Sequence, residues 1–149
     1  MISRAIPASL LLLSAVAVTG CGVGLQDTTG STVAAAFKGH IQGGQQPVAH
    51  ASVQFFAAST AGYAHAVTAI SPVVPTDANG QFSLSSAVTC PTGTSQAYVV
   101  STSGNPGLNE SGGTINNSAI ALVAALGNCN TLNSATFINV NEVTTVAAA

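Results

Sequence analysis

From Ala51 the chain alternates with a period of two. Ala51, Val53, Phe55 and Ala57 fall on one face and Ser52 and Gln54 on the other, the pattern of a half-buried strand. Upstream, Gly39-His40-Ile41-Gln42 predicts another strand ending at Gly43-Gly44, which tolerate positive φ, and Pro47 then fixes φ as the chain becomes extended again. Gly39 to Val53 therefore reads as strand, tight turn, strand. Thr76 to Leu84 is a second turn-and-strand unit, with Phe82 and Leu84 facing inward. In its turn, Asp77 and Asn79 are expected to bond local backbone and Gly80 to take the left-handed position. Gln96 to Ser101 carries Tyr98-Val99-Val100, apolar on both faces, which suits a strand in mid-sheet. Tyr63 to Ile70 and Thr136 to Val140 are further strand candidates. Ala119 to Leu126 is alanine-rich, which favours helix, yet its length and the flanking Gly127-Asn128 suit a strand. Short strands separated by regularly spaced turns predict an all-β sandwich of about seven strands. Ser101 to Ser118 is the longest irregular stretch and reads as a loop between strands. At Asn141 the pattern changes to a helix start, with Asn141 as cap and Glu142 in the first turn, where the macrodipole favours a carboxylate. Either a short helix docks there or a longer segment begins.

The two turn-and-strand units also carry a family pattern. Gly39, Ile41, Pro47, Val48, Ala51 and Val53 stand in a G-x-I-x-x-x-x-x-P-V-x-x-A-x-V stretch, and Thr76, Asp77, Gly80 and Phe82 in a T-D-x-x-G-x-F stretch. Together they resemble the carboxypeptidase regulatory-like, or transthyretin-like, β-sandwich family, over Phe37 to Val100 and more loosely beyond. The resemblance implies a single immunoglobulin-like or prealbumin-like sandwich with a non-catalytic binding or structural role. The family takes its name from domains that accompany a carboxypeptidase, whose zinc ligands belong to a separate catalytic domain.

Residues 1–20 read as a targeting segment. Arg4 supplies the positive start, and Ala8 to Val18 is an apolar run too short to span a bilayer comfortably. Val18-Thr19-Gly20-Cys21 resembles the bacterial lipobox, which implies that Cys21 becomes the lipidated first residue of the mature chain. The alternative is an ordinary secretory signal followed by an incidental cysteine. Acyl chains contribute about 0.8 kcal/mol per buried methylene, so two or more anchor stably. Gly22 stands where the lipobox resemblance would place an aspartate for inner-membrane retention, which points to the outer membrane. Residues 21–31, rich in Gly, Ser and Thr, form a flexible tether with an end-to-end distance of roughly 15–20 Å. Residues 32–149 are left for one domain with its own core.

Composition then narrows the partners. Only 4 % of residues are Asp, Glu, Lys or Arg, where about 25 % is usual. Without the targeting segment Lys38 is the one strong base, against Asp27, Asp77, Glu110 and Glu142. A nucleic-acid partner is excluded, because neutralising phosphates takes several Lys or Arg. The solvent face must be built from Ser, Thr, Asn, Gln and Gly, and copies of such a surface repel one another weakly. The membrane is a partner through the lipid. Beyond it, a protein, peptide or glycan ligand fits the amide-rich surface, and the sequence selects none of the three.

Cys90 and Cys129 remain once Cys21 carries lipid, and an even pair in an exported chain reads as one disulfide. It would close a loop of about 40 residues, worth roughly 4 kcal/mol in the chain-entropy model. The imidazoles are His40, His50 and His65, with no H-x-H, H-E-x-x-H or C-x-x-C spacing to suggest a metal. They read as solvent-facing; the alternative is a two-histidine site, since His40 and His50 flank the opening hairpin as candidate cross-strand neighbours. Asp77-Ala78-Asn79-Gly80 lacks the third oxygen ligand and the later glutamate of a calcium loop; Val88 stands at the glutamate position. There is no G-x-S-x-G or comparable nucleophile frame. The reading is a non-enzymatic module without cofactor, metal or catalytic residues. Its rivals are a small envelope hydrolase or metal-binding enzyme, and a pilin-type adhesin module. The last would carry an isopeptide bond between Lys38 and Asn139 or Asn141, assisted by Glu142, although alternation from inward Ile41 points Lys38 outward.

Overall fold

A computed structural model describes residues 31–33, 36–59, 61–62, 65–91, 95–107 and 116–149. In chain order the strands are β1 (Ser31–Val33), β2 (Phe37–Gly43), β3 (Gln46–Pro47), β4 (Ser52–Ala57), β5 (Thr68–Ala69) and β6 (Val74–Pro75). There follow β7 (Gln81–Leu84), β8 (Val88–Cys90), β9 (Gln96–Thr102), β10 (Ala121–Asn128) and β11 (Phe137–Val140), and the helix α1 (Glu142–Ala147) closes the chain. The fold is an all-β sandwich with one short C-terminal helix.

One sheet runs β10-β9-β4, with β5 and β6 both bonded to β4 beyond it, and all pairs are antiparallel. In the other, β2 pairs in parallel with β11 on one edge and antiparallel with β7 and β3 on the other. A small antiparallel pair, β1-β8, stands beside them. The sequence predicts about seven strands, and the larger number observed comes from broken edges. Between β5 and β6 the hydroxyl of Ser71 accepts the Phe55 N–H at 3.0 Å, a side chain standing in for a ladder rung. Thus, of the described residues of the expected strand Tyr63 to Ile70, Thr68–Ala69 form β5 and the Ile70 N–H adds one bond to the Phe55 carbonyl at 2.9 Å, while residues 63–64 lie outside the described ones.

Two boundaries differ from the reading above. Ser31, assigned to the tether, pairs with Cys90 in β1. Thr102, assigned to the irregular stretch, completes β9, and residues 108–115 of that stretch lie outside the described ones. β10 runs on to Asn128 across a bulge at Gly127 (φ +81°), since an extra residue can be absorbed where glycine takes the left-handed conformation.

The opening hairpin is shorter than its pattern suggests. β2 pairs with β3 only at Gln42–Pro47 and Gly43–Gln46, around Gly44 (φ +65°). After one further bond, Val48 N–H to the Ile41 carbonyl at 3.0 Å, the chain leaves for the opposite sheet. His50 (φ +56°) turns it into β4. Thr76 holds this crossover. Its hydroxyl accepts the Ala51 N–H at 2.9 Å and donates to the Val48 carbonyl at 2.7 Å. Its own N–H bonds the Ala51 carbonyl at 2.9 Å, and its carbonyl accepts from His50 at 3.2 Å. Thr76 is buried, so every one of these bonds is shielded from competing water.

Between the sheets, Phe37, Ile41, Phe82, Leu84, Ile138 and Val140 meet Val53, Phe55, Ala57, Val99 and Leu122, all buried. The rings of Phe37 and Phe55 lie 5.5 Å apart and those of Phe55 and Phe82 6.2 Å apart, edge to face, a favoured aromatic geometry. Gly39 makes that packing fit: a β-carbon there would run into the Phe82 ring and the Ile138 carbonyl. Cys90 and Cys129 are both fully buried and disulfide-bonded, tying β8 to the turn after β10.

Two outcomes follow for stability. Thr76→Val keeps the shape but strands the Ala51 N–H and Val48 carbonyl in the core, and should cost about 2–4 kcal/mol. Urea denaturation measures this, and a loss below about 1 kcal/mol would show that the hydroxyl does not secure the crossover. Reducing the disulfide, or replacing both cysteines with alanine, should lower stability by about 2–5 kcal/mol. Titration of free thiols in the native protein checks the pairing, and two reactive thiols would contradict it.

Candidate functional site

The outer face of the β11-β2-β7 sheet brings together most of the exposed chemistry. Alternation turns Phe137 and Asn139 of β11, Lys38 and His40 of β2, and Gln81 and Ser83 of β7 outward, while Phe37, Phe82, Ile138 and Val140 face the core. Register aligns these side chains in two rows. Phe137, Lys38 and Ser83 form the first, and Asn139, His40 and Gln81 the second. A groove of about 580 Å³ lies over the first row and extends to Pro75, Thr76 and Asp77. Phe137 is 62 % exposed, although it is one of the larger apolar residues of the chain.

Three of the titratable groups, Asp77, His40 and Glu142, are tied into the backbone. Asp77 Oδ1 accepts the N–H groups of Asn79 (2.8 Å) and Gln81 (2.9 Å), closing the turn as the sequence predicts, with Gly80 left-handed at φ +71°. Asn79 contributes its carbonyl, which lies 2.7 Å from His40 Nε2. Glu142 Oε1 accepts the Gly44 N–H at 2.6 Å and so joins the start of α1 to the opening hairpin. Asn141 caps α1 as expected: its side chain accepts from Thr144 N–H at 3.0 Å, and the Thr144 hydroxyl accepts from Asn141 N–H at 2.9 Å.

His40 and His50 are not cross-strand neighbours. The β2-β3 ladder ends before His50, which is exposed on the crossover, and His65 is exposed elsewhere. Among the described residues no group of three His, Cys, Asp or Glu is placed to hold a metal ion. Lys38 points outward, as the alternation predicts. It faces Phe137 in the register, whereas Asn139 faces His40 and Glu142 is engaged at Gly44. The three partners of an isopeptide bond are therefore not gathered in a buried cluster. Cys21 lies outside the described residues.

Phe137 is the residue that sequence reasoning passed over. The signal was available: once Ile138 and Val140 face inward, a period of two turns Phe137 outward. A second aromatic pair occupies the outer face of the other sheet, where Phe56 and Tyr98 stack at 5.6 Å with 18° between their planes. Two further grooves, of about 430 and 410 Å³, lie between Gly43–Gln46 and Glu142 and along Thr68–Pro72. Among the described residues no helix is long and apolar enough to cross a membrane. No family model matches the chain, and no curated protein matches it.

Partial burial raises the pKa of Tyr98 above the ordinary phenol value by penalising the phenolate. The unfolded phenol ionises first, so its contribution to stability is complete below the unfolded pKa and declines as pH rises toward the folded one. Absorbance titration of a Tyr63→Phe variant, which leaves Tyr98 as the sole tyrosine, should give a midpoint above that of a model phenol. A midpoint at or below it would mean that the ring is freely solvated.

Proposed function

We propose that this chain is an exported, lipid-anchored β-sandwich module with a non-catalytic binding role at the cell envelope. One observation carries the reading. Among the described residues, both carboxylates, one of the three histidines and the two disulfide cysteines are already engaged in holding the fold. Asp77 closes a turn, Glu142 ties the hairpin to the helix, His40 lies on the Asn79 carbonyl, and both buried cysteines are spent on a disulfide. A reacting group must be free to approach its substrate, whereas these are engaged by backbone.

The disulfide supports export, because such bonds persist in oxidising compartments. The lipobox-like Val18-Thr19-Gly20-Cys21 supports an anchor at Cys21, and Gly22 supports the outer membrane. The resemblance to carboxypeptidase regulatory-like domains at Gly39–Val53 and Thr76–Phe82 supports an accessory rather than a catalytic role, as an analogy of fold. The groove across β11, β2 and β7, which joins exposed Phe137 to polar side chains, is the surface best suited to a ligand.

Cys21→Ser should move the protein from the membrane fraction to the soluble fraction and abolish acyl labelling. Continued membrane association in that variant would place the anchor elsewhere. Metal analysis and a hydrolase substrate panel on the purified protein test the other half. Stoichiometric zinc or reproducible turnover would assign the chain to the enzymes instead.

A further inference from the structure

We infer that the groove across β11, β2 and β7 binds an acidic saccharide, with a sugar ring lying on Phe137 and a carboxylate on the Lys38 ammonium. The inference rests on the binding-module reading and adds the class of ligand. It begins from Phe137, a largely exposed ring set in a sheet face that is otherwise polar. Leaving such a ring in water forgoes its burial, and the face of an aromatic ring is where an apolar sugar face can lie while hydroxyls reach sideways. The groups at its sides suit those hydroxyls. Lys38 and Ser83 continue its row, and Gln81 lies two residues along β7. Asp77, whose N–H bonds the Gln81 carbonyl at 2.8 Å, closes the far end.

Charge then selects among saccharides. Lys38 is the one strong base outside the targeting segment; it is exposed, and among the described residues no carboxylate pairs with it. Asp77 lines the far end of the same groove, where its carboxylate suits sugar hydroxyls, so a ligand carboxylate is favoured only at the other end, on the Lys38 ammonium beside the exposed ring. Geometry separates a saccharide from a peptide. Extended peptides add to a sheet edge through backbone hydrogen bonds, whereas these groups point away from the flat face. Phe137 and Ser83 stand two strand spacings apart, roughly 10 Å, which suits a rigid ring and its neighbour.

Isothermal titration of the purified full chain in detergent tests this with four probes: a hexamer of galacturonic acid, a hexamer of mannuronic acid, neutral maltohexaose and a hexaglutamate peptide. At least one uronic hexamer should bind, and maltohexaose and hexaglutamate should bind at least about tenfold more weakly. Lys38→Gln and Phe137→Ala should each weaken the uronic hexamer at least about tenfold. Phe137→Leu, which keeps apolar bulk without the ring, should weaken it as well, while His50→Ala leaves it unchanged. Both positions are exposed, and an unaltered thermal melt shows that each variant is folded. Failure of both uronic hexamers at millimolar concentration, equal binding of the neutral or peptide probe, or undiminished binding to Phe137→Leu would overturn the proposal. If these tests fail while Cys21→Ser still leaves the membrane, the ligand class is wrong and the anchored module stands. Hydrolysis of any hexamer would instead overturn the module reading itself.

Discussion

Everything in this sandwich that faces across its core depends on where the chain changes sheets, and that passage is held by one threonine. Between Val48 and Ala51 the backbone leaves the ladder of β2 and enters β4, and its polar groups have no strand to pair with. Thr76 supplies four bonds there, two from its hydroxyl and two from its backbone. Asn105 supplies two more through a bridge with Ala49, at 2.7 and 2.9 Å. Unpaired backbone groups in a core are costly, so the crossover fixes the depth at which Val48, Ala51 and Val53 sit. Gly104 (φ +102°) follows from the same crowding, since a β-carbon there would meet Val48 and Ala51.

A second theme is how a chain with so few charges closes its turns. Asparagine does much of the work. The side-chain oxygens of Asn105, Asn117, Asn128 and Asn133 each accept the N–H two residues on, at 2.8 to 3.0 Å. Asn141 does the same for the third residue at the helix start. These are local bonds that mimic a backbone turn, and they need no ion pair. The few charged groups are thereby free to be placed singly. Asp77 and Glu142 act as turn and hairpin fasteners, and Lys38 is left on an open face.

Much of this architecture was legible before any coordinates. The alternation Ala51 to Ala57 is read directly, because one buried face imposes a period of two, and the structure buries Ala51, Val53, Phe55 and Ala57. The turn at Asp77-Gly80, the cap at Asn141 and the pairing of the last two cysteines were equally readable, being set by local chemistry or by parity. The crossover was not. Its hydroxyl bonds link residues 28 and 25 positions apart, and a local pattern contains no trace of a partner that distant. The same limit hid the parallel pairing of β11 with β2 and the replacement of a β4 rung by Ser71. On the candidate site, the outward direction of Lys38 was legible, whereas its alignment with Phe137 and Ser83 is a product of register across three strands.

The short terminal helix has a consequence for how copies of the chain coexist. β10 lies at the end of its sheet order, and in mid-strand Val123 turns its N–H and carbonyl toward α1. There the Thr145 hydroxyl accepts from the Val123 N–H at 2.9 Å, and the Thr144 hydroxyl donates to the Val123 carbonyl at 2.9 Å. An open sheet edge is a template for another strand, and this one is alanine- and leucine-rich and uncharged. The two threonines therefore act as a plug. Where a surface offers little electrostatic repulsion, occupying these hydrogen bonds denies them to a neighbouring strand, and fraying of the six-residue helix would expose them.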